Sequence, residues 1–372
     1  MKKILFIFGT RPEAIKMAPL IKELEKRNKA FKVKVCVTGQ HREMLDQALL
    51  FFNIKPDYDL NVMIPGQTLF GVTSKILERL EPVIDDYAPD VVLVQGDTTS
   101  ALVGAMASFY KQIKVGHLEA GLRSGNIHSP FPEEMNRILI TRMTNYHFAP
   151  TQKALDALMA ESVKEQDIFL VGNTVIDALL LGLKIIHQGN NNLYDKEYSN
   201  IDTTKKIILV TGHRRESFGG GFENICNALR KISKENEDVE IVYPVHLNPN
   251  VQDPVNRILK GVENIHLIKP LDYPDLISLM EKSYIVLTDS GGIQEEAPTL
   301  GKPVLVMRDV TERMEGVEAG TARLVGTNEE KIVQEVNMLL NDESEYNKMA
   351  NAINPYGNGT TSKQIADILE EK

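Results

Sequence analysis

Short apolar runs alternate with longer amphipathic stretches along the whole chain. In the first half the runs are Ile4–Phe8, Val33–Val37, Val91–Val94, Val115–Leu118, Tyr146–Ala149 and Ile168–Val171. Each is too short for a helix and is bounded by polar or turn residues, which predicts a buried strand. Between them Glu43–Phe52, Leu69–Tyr87, Ser100–Tyr110 and Glu133–Met143 read as helical connectors. A second series follows, with strands at Ile207–Val210, Glu240–Tyr243, Ile265–Ile268, Tyr284–Leu287 and Val304–Met307 and helices between them. This alternation predicts parallel sheets with helices on both faces, and its two series predict two doubly wound α/β domains in tandem. From Gly189–Asn192 to Asp202–Thr204 the chain turns polar and loses its period, which predicts a surface excursion and not the linker itself. No repeat at solenoid periods is present. Ligands of such sheets sit beyond the carboxyl ends of the strands, so the expected site is a cleft between the two domains.

Composition narrows the class only slightly. A chain of 372 residues with 42% hydrophobic content is long enough for each half to bury a core. The formal net charge of -9 argues against general affinity for nucleic acid or an anionic membrane, while leaving room for a local basic pocket. Cys36 and Cys226 lie far apart in apolar patterns, without zinc or redox spacing; they predict buried free thiols in a reducing cytoplasm. Met1-Lys2-Lys3 precedes an apolar run too short for a signal peptide or a membrane span, so it opens the first strand.

The strand ends carry the chemistry. After successive strands come Gly9-Thr10-Arg11-Pro12-Glu13, Gly96-Asp97-Thr98-Thr99, Glu119-Ala120-Gly121, Gly212-His213-Arg214-Arg215-Glu216 and His246. Any one of these is a helix cap or a solvated loop charge as readily as a site; together they predict residues that converge on one crevice. Asp97, Glu119 and Glu133 suit proton transfer, because crowded carboxylates push one another's pKa values apart. The simpler reading pairs them structurally with Arg123 and Arg137. His213 is a candidate acid or base, although a lone histidine is more often structural. Arg11, Lys16, Arg214, Arg215 and Arg313 are candidates to neutralise a diphosphate, where they are not merely solvated.

The stretch Asp289-Ser290-Gly291-Gly292-Ile293-Gln294-Glu295-Glu296 follows a predicted strand and opens a predicted helix. Glycines there let a ligand approach the backbone, and the unpaired N–H groups of the first helical turn face an incoming anion. Glu296 is placed to accept hydrogen bonds from ribose hydroxyls. The plainer alternative is a strand-to-helix turn with Ser290 as N-cap. No Gly-x-Gly-x-x-Gly follows the first strand, no P-loop occurs and no metal-ligand spacing appears, so neither NAD, ATP nor a metal is indicated.

With these residues in view, the chain resembles the bacterial UDP-N-acetylglucosamine (UDP-GlcNAc) 2-epimerases, in particular their non-hydrolysing branch, nearly end to end. The segments that carry the resemblance are Phe8–Lys16, Gln95–Thr99, His117–Arg123, Phe131–Arg137, Thr211–Ser217 and Ser290–Glu296. It implies two Rossmann-like domains facing a deep cleft, as in GT-B glycosyltransferases, of residues 1–172 with 360–372 and of residues 173–359. The C-terminal helix, roughly Lys363 to Glu371, would cross back to the first domain. The implied chemistry is elimination of UDP to a 2-acetamidoglucal and its re-addition with the proton returned to the other face of C2, giving UDP-N-acetylmannosamine (UDP-ManNAc) without a cofactor. By position Asp97, Glu119, Glu133 and His213 match catalytic residues, and His213 would stabilise the leaving diphosphate as much as move a proton. Arg11, Lys16, His213, Ser290, Gly291, Gly292, Glu296 and Arg313 match nucleotide-contact positions, with Arg137 and His246 as further substrate contacts. Leu271 and Leu276 fall where the uracil is held, Leu271 through its backbone. Thr38–Glu43, with Gln40 and His41, resembles a segment that binds a second UDP-GlcNAc as activator, or is a simple strand-end turn. A cytoplasmic homodimer serving polysaccharide synthesis is implied by the resemblance alone. A hydrolysing 2-epimerase would use nearly the same groups; a GT-B glycosyltransferase or a nucleotide-sugar sensor would not need the three carboxylates.

Overall fold

The computed structural model describes residues 1–39, 42–63, 66–189 and 201–372. These residues form two compact units, Met1–Leu181 with Tyr356–Lys372, and Gly182–Pro355. The division falls inside the helix Thr174–Gln188, nine residues beyond the break expected at 172/173, because the apolar face of that helix continues through it. The return at Tyr356 is fixed by the bond from Asn173 N to Tyr356 O, 2.7 Å.

The first unit is a seven-stranded, wholly parallel sheet. Its strands are β1 (Lys2–Phe8), β2 (Phe31–Val37), β3 (Tyr58–Asp59), β4 (Val91–Gln95), β5 (Lys114–Leu118), β6 (Tyr146–Ala149) and β7 (Ile168–Leu170), in the order β3-β2-β1-β4-β5-β6-β7. The central strands are apolar on both sides, as a sheet covered on both faces demands: Ile4 to Phe8 and Val91 to Val94 are all buried. On one face Leu5, Ile7, Val92 and Val94 pack with Val72, Ile76 and Leu80 of the helix Leu69–Tyr87 and with Ala101 and Ala105 of the helix Thr99–Tyr110.

The second unit repeats the plan with six parallel strands, β8 (Lys206–Thr211), β9 (Val239–Pro244), β10 (Ile265–Ile268), β11 (Ile285–Thr288), β12 (Val304–Val306) and β13 (Ala322–Leu324), ordered β10-β9-β8-β11-β12-β13. Ile208, Val210, Ile285 and Leu287 line one core; Ile207, Leu209, Val286 and Val304 line the other. Both units are therefore Rossmann-like: the strand order reverses once, between β1 and β4 in the first and between β8 and β11 in the second.

The helix ends follow local chemistry. Leu69–Tyr87 opens at Thr68, whose side chain accepts from Gly71 N, and closes at Ala88 in the left-handed conformation. Arg11–Lys26 opens with a reciprocal capping box of Thr10 and Glu13. The last helix, Thr361–Glu371, belongs to the first unit and is tied to its opening elements by Arg27 to Asp367, 2.6 Å, and Lys2 Nζ to Leu369 O, 2.5 Å.

The edge strands β3 and β13 were not foreseen, because two or three residues are too few to show a period. Tyr284 lies outside β11: its ring stacks on Tyr346 at 4.1 Å, and the strand starts one residue later. Cys36 and Cys226 are buried free thiols, both pushed up to about 12 by burial. No helix among the described residues is long and apolar enough to cross a membrane.

Gly121, just after β5, is the glycine the fold most requires. Its φ is +92°, and a Cβ there would lie 2.2 Å from the Ala154 carbonyl oxygen. Gly121→Ala is expected to destabilise by about 2 kcal/mol or more, seen as a lower denaturant midpoint. An unchanged midpoint would contradict the packing described here.

Candidate functional site

In each unit the charged strand-end loops meet at the reversal of strand order. In the first, the loops after β1 and β4 are joined by Glu13, which is 3% exposed. Its Oε2 accepts from Gly9 N (3.0 Å), Thr10 N (2.8 Å) and Thr10 Oγ1 (2.8 Å), and its Oε1 accepts from Thr98 Oγ1 (2.7 Å). Burial pushes this carboxyl up, and the four donors oppose the shift. Arg11 stands at the first position of the helix that follows, partly exposed, and Lys16 lies one turn further on.

Lys16 reaches across to Glu119, after β5, in an ion pair whose side chains are 18% and 7% exposed. Gln95, the last residue of β4, donates to the same Glu119 oxygen. The Glu119 backbone is left-handed, φ +61°, a conformation that costs a non-glycine residue on the order of 1–3 kcal/mol and is kept where the surroundings enforce it. Asp97 pairs with Arg137, and Asn136 Nδ2 holds the Asp97 carbonyl at 2.8 Å. Burial pushes the Asp97 carboxyl up; Arg137 pulls it down and Glu119 pushes it up again. His117 donates from Nε2 to the carbonyl of Gly96 at 2.7 Å and is fully buried. Burial pushes its imidazole down to about 3, so it is a neutral, fixed donor.

Glu133 opens the helix Glu133–Met143, partly exposed, and shares no hydrogen bond or ion pair with Asp97 or Glu119 among the described residues. Its neighbour Glu134 is the buried one, accepting from Ser124 N (2.9 Å) and Gly125 N (3.1 Å) and pairing with Arg137. The pairing of Arg123 with the carboxylate set is corrected: Arg123 forks onto Glu161 at 2.6 and 3.0 Å, and so belongs to the packing of the helix Gln152–Ala160.

In the second unit the loops after β8 and β11 are joined by Asp289, whose Oδ2 accepts from His213 N (2.6 Å) and Arg214 N (2.7 Å). His213 stacks on His246, ring centroids 5.1 Å apart and planes 12° apart. Around them lies a pocket of about 490 Å³, lined by His213, Arg214, Arg215, Glu216, His246, Asn248 and Ser290. Ser290 holds the N-cap position of the helix Gly291–Glu296, but its side chain makes no capping bond, so the plain-cap alternative is not what the structure shows. That helix has only six residues before it tightens into a 3₁₀ turn, which leaves its first-turn N–H groups as the anion-facing feature.

Neither Gly291 nor Gly292 has a positive φ, so the turn itself does not demand glycine. A Cβ on Gly291 would sit 3.5 Å from the guanidinium of Arg313, which is anchored to Glu295 at 2.7 Å. The missing side chains leave open the approach between this cation and the backbone. Glu296 is buried, with Tyr273 Oη donating to its Oε1 at 2.9 Å. Leu271 and Leu276 are partly buried against the core that holds Ile293 and Ala297. Gln40 and His41 lie outside the described residues.

The arrangement in the first unit is chemically suited to proton transfer and that in the second to an anionic ligand. A sequence model of the UDP-N-acetylglucosamine 2-epimerase family matches residues 22–370. The chain belongs to that family. It is 57% identical to the UDP-N-acetylglucosamine 2-epimerase of Yersinia pestis, over 99% of this chain and 98% of that one. Against the enzyme of Escherichia coli strain K12 the identity is 56%, with the same coverage. The crystal structure of the Neisseria meningitidis UDP-GlcNAc 2-epimerase bound to UDP-GlcNAc superposes with a TM-score of 0.90, at 48% identity and covering 100% of both chains.

Within this UDP-N-acetylglucosamine 2-epimerase fold, the structure assigns positions to five residues that sequence reasoning quoted without a role: Glu13, Gln95, His117, Glu134 and Asp289. For Glu13 a signal existed, because Thr10-x-x-Glu13 has the spacing of a capping box. Gln95, His117 and Asp289 act through partners remote in sequence, and Glu134 through the loop after β5 and Arg137.

Glu13→Ala would leave four donors without their acceptor and is expected to cost about 2 kcal/mol or more and to loosen both loops. Glu13→Gln keeps one oxygen for the two backbone donors, while Thr98 can turn its hydroxyl to accept from the amide. The alanine variant should therefore show the lower denaturant midpoint and the larger fall in turnover; equal losses would overturn this account of the bridge.

Proposed function

We propose that the chain is a non-hydrolysing 2-epimerase that interconverts UDP-GlcNAc and UDP-ManNAc, supplying a precursor for cell-surface polysaccharide. The observation that carries the reading is the unlike pair Asp97 and Glu119: two partly buried carboxylates within electrostatic reach of each other, one against Arg137 and one against Lys16. Such a pair suits removal of a proton from one face of C2 and its return to the other. The Neisseria meningitidis relative, whose crystal structure holds UDP-GlcNAc, supports the substrate.

In this reading Ser290, Gly291, Gly292, Arg313, His213, Arg11 and Lys16 bind the diphosphate, Glu296 the ribose, and Leu271 and Leu276 the uracil. Arg137 and His246 are further substrate contacts, and Glu133 joins Asp97 and Glu119 in the acid–base set. As the C2 proton leaves, the bond from C1 to the UDP oxygen breaks, and UDP departs with that electron pair to leave 2-acetamidoglucal. Reprotonation at the opposite face of C2 and return of the same UDP oxygen to C1 gives UDP-ManNAc. Hydrogen bonds and cations that strengthen as the diphosphate gains charge lower the barrier to that step. No net oxidation occurs, so the balance needs no nicotinamide.

A homodimer is part of the proposal. Leu69, Phe70, Phe109, Tyr110, Met135 and Leu139 are exposed on three successively packed helices of the first unit, Leu69–Tyr87, Thr99–Tyr110 and Glu133–Met143, a face suited to a second copy.

Incubation with UDP-GlcNAc in deuterated water, without added NAD or metal, is expected to yield UDP-ManNAc carrying deuterium at C2. Retention of the C2 hydrogen at full conversion, or release of UDP in step with free sugar, would refute the proposal. Asp97→Asn and Glu119→Gln should each lower kcat by about 10²-fold or more while UDP affinity holds; a matched loss of affinity would mark them as structural.

The resemblance of Thr38–Glu43 to an activator segment adds regulation to the proposal, with Gln40 and His41 binding a second UDP-GlcNAc. UDP-ManNAc alone should then turn over slowly until UDP-GlcNAc is added. Hyperbolic kinetics from UDP-ManNAc alone at full rate would remove the activator from the scheme.

A further inference from the structure

Beneath the loops that line the pocket of the second unit lies a buried polar atom that the binding scheme leaves unused. Asp289 is 2% exposed, and its Oδ2 is fully engaged by the backbone N–H groups of His213 and Arg214. Its other oxygen, Oδ1, is buried and has no hydrogen-bond partner. The Nδ1 atom of His213 lies 3.6 Å from it. That separation is too long for a hydrogen bond but within ion-pair reach, and a small rotation of the ring would close it. Buried carboxylate oxygens without donors are rare enough to require a reason.

The ring is constrained on its other sides. It stacks on His246, whose Nδ1 accepts from Asn248 N at 3.1 Å, so neutral His246 carries its proton on Nε2. The charged and titratable groups facing His213 are Asp289 from the loop after β11, His246 from the loop after β9, and Arg214 from its own loop. Burial pushes the His213 imidazole below its ordinary value; Asp289 pushes it back up, and His246 and Arg214 press it down. Asp289 is thus the single group in this set that favours the charged ring.

We propose that Asp289 is a positioning residue for His213, its Oδ1 accepting from Nδ1–H so that the imidazole is held in one orientation with Nε2 directed to the pocket. The loop bond through Oδ2 and the ring bond through Oδ1 then fix backbone and side chain of His213 from one carboxylate. The inference rests on the reading of this pocket as the diphosphate site, where an imidazolium held in place opposes the charge that UDP gains as it leaves.

Asp289→Asn separates the two functions. Its amide oxygen still accepts from the two backbone N–H groups, but the anion and the acceptor facing Nδ1 are lost. Titration of the His213 ring by ¹H–¹⁵N NMR, assigned by its loss in His213→Asn, should fall by about one pH unit or more in the variant, both free and with UDP bound. One unit corresponds to about a tenfold change in the balance of charged and neutral ring. The alkaline limb of kcat should shift down by the same amount, and in a His213→Asn background Asp289→Asn should add no further pH-dependent loss.

An unchanged His213 titration, or a loss of UDP affinity equal at every pH, would show that Asp289 only holds the loop. Should the variant fold poorly, the wild-type nitrogen shifts decide alone: Nδ1 protonated supports the proposal, and Nε2 protonated with Nδ1 bare overturns it. Failure of the wild-type protein to epimerise UDP-GlcNAc would sink the functional reading and leave the ring titration to judge this one.

Discussion

Where the strand order of a parallel sheet reverses, two adjacent strands send their chains to opposite sides, and no ladder joins the loops that follow them. A site built there depends on something else to hold those loops in register. In both units that something is one buried carboxylate. Glu13 gathers Gly9 and Thr10 after β1 and takes Thr98 after β4. Asp289, after β11, takes the backbone of His213 and Arg214 after β8. Hydrogen bonds to a charged acceptor contribute about 1.5–3 kcal/mol each, against the desolvation that burial of the carboxylate costs. The raised carboxyl of Glu13 records that opposition. The side chains that would meet substrate hang on these loops, so their geometry is set before any ligand arrives.

A second layer acts on the first unit through one helix. Asn136 and Arg137 of Glu133–Met143 grip the carbonyl and the side chain of Asp97, while Glu134 holds Ser124 and Gly125 beyond β5. One rigid element thereby sets the spacing of the loops that bear Asp97 and Glu119. It also sets their electrostatics. Asp97 is pushed up by burial and by Glu119 and pulled down by Arg137, so its proton affinity reflects a contest that a small movement of the helix would tip.

The frame of the fold was legible in the sequence because its strands are buried on both faces and its helices are long. Leu69–Tyr87 and Glu133–Met143 begin and end where the apolar period and the polar residues around it place them. The edge strands β3 and β13 escaped notice because they pair along one side and are too short to show a pattern. In the site, residue types at strand ends pointed to the right loops. The pairings did not follow from them. The simpler reading of the sequence pairs the carboxylates with Arg123, whereas Glu161, thirty-eight positions away, is its partner in space. Asp289 and His213 are seventy-six positions apart, and only the adjacency of β8 and β11 brings them together. The pair Gly291 and Gly292 reads in the sequence as room for close approach to the backbone; the backbone there is ordinary, and the space lies before Arg313.

Two histidines, His117 in β5 and His213 after β8, divide the labour between constancy and response. His117 donates to Gly96 from deep burial, with its other nitrogen unpartnered, and its imidazole is pushed down to about 3. Protonating it would place an N–H with no acceptor beside a buried charge, so through the neutral range it behaves as a fixed strut beneath the Gly96-Asp97 turn. His213 is opposite in each respect: 45% of its side chain is exposed, its burial is opposed by Asp289, and its ring lines the pocket. Of the two rings, His117 is therefore held neutral beneath its turn, while His213 is the one on which burial and a facing carboxylate pull in opposite directions. The fold thus separates the geometry it must hold constant from the charge it must be free to change.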